Sequence, residues 1–189
     1  MPEKKTTVFI FHGAYGSPEE NWIPWLKREL KKAGFEAIAP RFPTPEGQEI
    51  DNWHRVFKKY EAMCGPGTIF VAHSVGVAFA LSIIENMPAP AKAAYLVSGF
   101  RGTLGNPKFD DLNKSFTQRR FKWKEIMANC EEFHVIASDN DPYVPLKKAE
   151  ELADMLDTKV EIVEGAGHFN ALARYDRFEY LLDKIKKKK

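Results

Sequence analysis

FVAHSVGVAFAL, residues 70–81, begins as an apolar strand, stops at a serine and continues as a helix. Its centre, Ala72-His73-Ser74-Val75-Gly76, is one methyl group away from G-x-S-x-G. That pattern forms a sharp strand-to-helix turn that exposes a serine hydroxyl. A serine before a helix also has a plainer use, as a cap for free N–H groups. The neighbouring elements and the residues at their ends weigh one reading against the other.

Outward from this stretch, short β-rich runs alternate with amphipathic segments. Strands are expected at 6–12, 35–40, 68–73, 92–99, 131–139 and 158–165. Several are continuous apolar runs, as in strands buried on both faces. Helices are expected from Ser17-Pro18 to Gly34, over 48–63, 75–87, near 122–129, over 145–157 and from Ala171 to Lys186. Residues 100–121 are read as a long polar, irregular connection, a type of loop that is often functional. The alternation predicts right-handed βαβ units and an α/β fold with about six mostly parallel strands. Helices should cover both faces, and residues 1–189 should form a single domain without a large cap.

In such sheets, ligands bind outside the carboxyl ends of the strands. Those ends carry His12-Gly13-Ala14-Tyr15-Gly16, Ser74, Ser98-Gly99-Phe100-Arg101, Asp139-Asn140-Asp141-Pro142 and Gly165-Ala166-Gly167-His168. A serine, acids and a histidine therefore meet on one edge. A serine hydroxyl needs a base to take its proton before it can attack a carbonyl. Histidine suits that task near neutral pH, and a carboxylate can fix its tautomer. The chain order Ser74, Asp141, His168 is that of a nucleophile, an acid and a base in α/β-hydrolases. Asp139 rivals Asp141, and Asp141 could also be a turn residue before Pro142. The N–H groups of Val75 and Ala14 are expected to face a developing oxyanion, with Tyr15 a rival to Ala14. Tyr15 and Phe100 are the candidate pocket residues.

HGAYG with Trp22 behind it, AHSVG, DPYVP and GAGHFN together resemble the retinoblastoma-binding-protein-9-like serine hydrolase family. The likeness spans nearly the whole chain, including Trp25 and Trp53. It implies a compact α/β-hydrolase with Ser74 as nucleophile, Asp141 as acid and His168 as base. The implied reaction is cleavage of small ester, thioester or amide bonds through an acyl-enzyme, with esterase and peptidase left open. The alternative is a binding or scaffold protein on a hydrolase fold, since fold does not fix function.

The remaining features read more plainly. A formal net charge of +2 over 189 residues gives no field that would point to nucleic acid. No apolar run reaches membrane-spanning length. Cys64 and Cys130 fit buried free thiols, and a cytoplasmic location is the expectation. His12 should shape its loop, His73 should pack beside the turn, and His54 and His134 should be structural. The histidine spacing matches no metal site. Gly165 and Gly167 are only half of a dinucleotide motif, and HGAYG lacks the G-K-[ST] of a phosphate loop. No metal or cofactor is expected. Arg101, Arg119 and Arg120 are read as a solvated face, with an acidic substrate group or a partner as the alternative. The partner expected is a small acyl substrate.

Overall fold

The computed structural model describes residues 6–189. Six strands form one parallel sheet: β1 (Thr7–Phe11), β2 (Glu36–Ile38), β3 (Thr68–His73), β4 (Ala93–Val97), β5 (Phe133–Ser138) and β6 (Val160–Val163). Their spatial order is β2-β1-β3-β4-β5-β6. The chain moves outward from β1 to β2, then returns to lay β3 on the other side of β1. The crevice at such a reversal is where open α/β sheets bind ligands. Here the reversal brings the loop after β1 beside the turn after β3.

Side-chain alternation explains the unbroken apolar runs. Phe9, Phe11, Phe70 and Ala72 enter the core on one face, while Val8, Ile10, Ile69 and Val71 enter the core on the other. The first face is covered by α2 (Ile50–Phe57), α3 (Val75–Ile84), α5 (Lys114–Thr117), α6 (Trp123–Ala128) and α7 (Leu146–Met155). The second is covered by α1 (Ile23–Lys32) and α8 (Glu179–Lys186). All ten residues of α3 are buried. That is why its sequence is apolar all round rather than on one stripe.

The structure corrects three sequence-based boundaries. No helix starts at Ser17-Pro18: Asn21 takes a left-handed φ of 54°, and α1 begins two residues later with Pro24 in its first turn. The 100–121 connection is not wholly irregular, because it contains α4 (Pro107–Leu112) and α5. Asn106 starts α4 as a cap, accepting from Phe109 N–H, with proline at the next position. The last helix does not run from Ala171. A 3-10 turn at Ala171–Ala173 ends in left-handed Arg174, and α8 begins only at Glu179. Among the described residues, no helix is long and apolar enough to cross a membrane.

Candidate active site

The turn after β3 is strained. Ser74 has φ 56° and ψ −127°, a region that costs a non-glycine residue about 1–3 kcal/mol. Its N–H donates to the Val97 carbonyl over 2.9 Å, which ties the turn to the end of β4. Its side chain makes no capping hydrogen bond to α3. The plain role of helix cap is therefore unfilled, and Oγ has no hydrogen-bond partner among the described residues.

Two glycines let the neighbouring loop approach this serine. A Cβ on Gly76 would lie 2.5 Å from the His12 carbonyl oxygen. A Cβ on Gly13 would lie 2.9 Å from Ser74 Cβ. Ala72 faces a different demand. It lies within β3, opposite Phe11 on β1 and Leu96 on β4, and has no positive φ. The position restricts volume rather than backbone angle, so alanine meets it.

Two amides beside the serine turn, Val75 N–H at the start of α3 and Ala14 N–H in the adjoining loop, are without an acceptor among the described residues. Tyr15 N–H is occupied, donating to Thr44 Oγ1 over 2.7 Å. His12 braces this loop. Its Nδ1 lies 2.8 Å from the Gly13 carbonyl, and Phe42 N–H donates to its Nε2 over 3.1 Å. Burial lowers the pKa of His12, so it stays neutral in this bracing role.

Asp141 and His168 meet after β5 and β6. His168 Nδ1 lies 2.8 Å from Asp141 Oδ2, with the Asp141 side chain 2% exposed. Ser98 Oγ donates to the same oxygen over 2.9 Å. Tyr143 and Val144 N–H groups donate to Oδ1 over 2.9 and 3.0 Å. Burial pushes the Asp141 pKa up, but the His168 contact and these N–H donors outweigh it and hold the carboxyl below its usual range. Asp139 is turned elsewhere: its Oδ1 accepts from Gly165 N–H over 2.8 Å. The contact at Nδ1 leaves His168 Nε2 without a partner among the described residues.

The loop carrying His168 is held from both sides. Before it, Gly165, Ala166 and Gly167 N–H groups donate to Asp139 Oδ1, Ser138 Oγ and Asn140 Oδ1 over 2.8, 3.0 and 2.7 Å. Next, His73 Nε2 donates to the His168 carbonyl over 2.8 Å. Trp22 Nε1 then donates to the Phe169 carbonyl over 3.0 Å. Trp22 and His73 are themselves in edge contact, 5.9 Å between ring centroids. Residue spacing gives no sign of either bond, because the partners lie 95 and 147 residues apart along the chain.

Ser74 and His168 open into one cavity of about 490 Å³, which Ala14, Tyr15 and Phe100 also line. Such a volume suits a small molecule. The arginines are not part of it. Arg119 Nη2 forms a bidentate pair with Glu85 at 2.9 and 2.8 Å. His54 pairs with Ser82, and His134 with Glu161, both outside the cavity.

Residues 8–187 match the family described as serine hydrolase. The chain belongs to the serine hydrolase family. Among its relatives is YdeN of Bacillus subtilis, 32% identical over 164 residues, covering 86% of this chain and 85% of that one. RBBP9 of Rattus norvegicus, named a serine hydrolase, is 30% identical over 166 residues, with 87% of each chain covered. The crystal structure of the ydeN gene product superposes with a TM-score of 0.90 at 28% identity, over 98% of both chains. Est1E from Butyrivibrio proteoclasticus shares the fold at a TM-score of 0.69 and 16% identity, covering 98% of this chain and 87% of that one. This serine hydrolase thus has an α/β-hydrolase fold, without a large cap domain among the described residues.

Proposed function

We propose that this serine hydrolase cleaves small carboxylic esters, thioesters or amides, with Ser74 as nucleophile, His168 as base and Asp141 as the acid behind it. The observation that carries the reading is the 2.8 Å contact from His168 Nδ1 to Asp141, beside a cavity into which a strained, uncapped Ser74 also opens. In this mechanism Ser74 Oγ bonds to the substrate carbonyl carbon while its proton passes to His168 Nε2. Asp141 stabilises the imidazolium that forms. The N–H groups of Ala14 and Val75 hold the carbonyl oxygen as it becomes an oxyanion. Collapse breaks the bond to the leaving group, which departs with the proton from His168. Water then gives a proton to His168 and its oxygen to the acyl carbon, releasing the acid and restoring Ser74.

The described residues act as one catalytic domain in this reading. The two free cysteines, with Cys130 buried, agree with a reducing compartment such as the cytoplasm. Fluorophosphonate labelling tests the assignment. Wild type should be labelled and Ser74→Ala should not; equal labelling of both would remove Ser74 from the mechanism.

A further inference from the structure

We infer that the cavity beside Ser74 is an acyl subsite for aromatic carboxylic esters whose acyl part is neutral or anionic, with Phe109 reading the ring and Lys108 reading the charge. The inference rests on the hydrolase reading above and narrows its substrate class.

Three aromatic rings in mutual contact line the cavity. Phe109, on α4, is in edge contact with Tyr15 at 5.9 Å and stacked with Tyr143 at 6.4 Å. Tyr143 in turn stands edge-on to His168 at 5.2 Å. These residues, with buried Phe100 and Val144, enclose the space next to Ser74. Aromatic pairs at such separations gain about 0.5–1.5 kcal/mol beyond the area they bury. A saturated ring of the same outline has no quadrupole and forgoes that gain. Tyr15 and Tyr143 are 48% and 43% exposed, so part of each side chain remains accessible to a guest.

The charge of the cavity is one-sided. Among the described residues, Lys108 is its one lysine or arginine, and no carboxylate lines it. The nearby acids are committed. All four hydrogen bonds to Asp141 come from within the protein, behind His168. Asp110 uses both oxygens on the N–H groups of Leu104 and Gly105. A cationic acyl group would find no carboxylate in the described lining to pair with directly and would meet the like charge of Lys108 there. An anionic group at the far end of the ring would meet Lys108 instead.

Four p-nitrophenyl esters test this: 3-phenylpropanoate, 3-cyclohexylpropanoate, 3-(4-carboxyphenyl)propanoate and 3-(4-aminomethylphenyl)propanoate. The quantity read is kcat/KM at low ionic strength, with fluorophosphonate labelling of Ser74 in the same preparation. The phenyl ester should exceed the cyclohexyl ester by about three- to tenfold, the range of an aromatic contact. Phe109→Leu should bring that ratio close to one. The carboxyphenyl ester should exceed the aminomethyl ester by at least about tenfold, and Lys108→Glu should reverse that order. Labelled Ser74 with no discrimination among the four esters overturns the inference and leaves the hydrolase reading intact. No labelling and no turnover overturns both.

Discussion

His73 holds the main chain of His168: its Nε2 donates to that carbonyl over 2.8 Å, and the two rings lie 4.8 Å apart. The residue just before Ser74 thus holds the loop that carries His168, which lines the same cavity as Ser74. Replacing His73 by Phe keeps the ring and removes the donor. The orphaned carbonyl should cost about 1–3 kcal/mol in a denaturant melt. Acylation should slow by about ten- to a hundredfold, a misplaced base being costly to rate. KM should change little, because His73 does not line the cavity. A shift in KM with kcat intact would mean that the loop is placed by other contacts.

Burial also keeps His73 uncharged, lowering its pKa to about 3. His12 and His54 are lowered by burial as well. In the unfolded chain each titrates near pH 6.5. Below that pH the unfolded state binds more protons than the folded one, so stability falls as pH falls. For His73 the loss continues down to about pH 3. Melting temperature should therefore drop between pH 6.5 and 5, above the range in which carboxylates titrate. His73→Phe should flatten this slope by up to ~1.4 kcal/mol per pH unit. An unchanged slope would show that His73 takes up its proton in the folded state.

The two aspartates after β5 should separate cleanly. Asp141→Asn removes the carboxylate paired with His168, and kcat should fall by about 10³- to 10⁴-fold, as when a triad histidine loses its tautomer. Asp139→Asn keeps an oxygen for Gly165 N–H and should retain activity within about tenfold. Equal losses would show that the pairing at Oδ2 of Asp141 is not what orients the base.

Glycine and alanine at the serine turn should respond in opposite ways. Gly76→Ala forces a Cβ against the His12 carbonyl, a backbone atom that cannot step aside. Stability should fall by at least about 1–3 kcal/mol, with activity lost in parallel. Ala72→Gly completes G-x-S-x-G yet should bring no gain in turnover. It should cost about 0.5–1 kcal/mol through added chain entropy. A faster Ala72→Gly enzyme would mean that the position needs glycine for its backbone.

The sheet was legible because its central strands are local runs of apolar residues, and residues 68–73 fall on β3 without adjustment. Ser74, Asp141 and His168 were legible because each follows a strand, so chain order predicts spatial convergence. Helix limits were less so. Ser17 does accept from Glu19 N–H in a local turn, but left-handed Asn21 stops any helix from following. Asn21 is committed to a distant contact, accepting from Ala171 N–H over 2.8 Å. The cap and proline of α4 were present at Asn106-Pro107. A six-residue helix with no buried side chain lacks the periodic stripe that would have revealed it. The DPYVP resemblance favours Asp141 over Asp139; residue spacing leaves both open, because it does not encode side-chain direction.

The hydrogen bonds on both sides of His168 make the two walls of the cleft mechanically unequal. Five successive main-chain groups from Gly165 to Phe169 are fastened there. Opposite them, α4 has no fully buried side chain: Phe109 makes ring contacts with Tyr15 and Tyr143, and the helix is tied by Asp110 to the Leu104 and Gly105 N–H groups and by Gln48 Nε2 to the Leu112 carbonyl. Segments with so little burial open first. In the proposed reaction, α4 is therefore the wall expected to give way first, and the His168 loop the one expected to keep its shape.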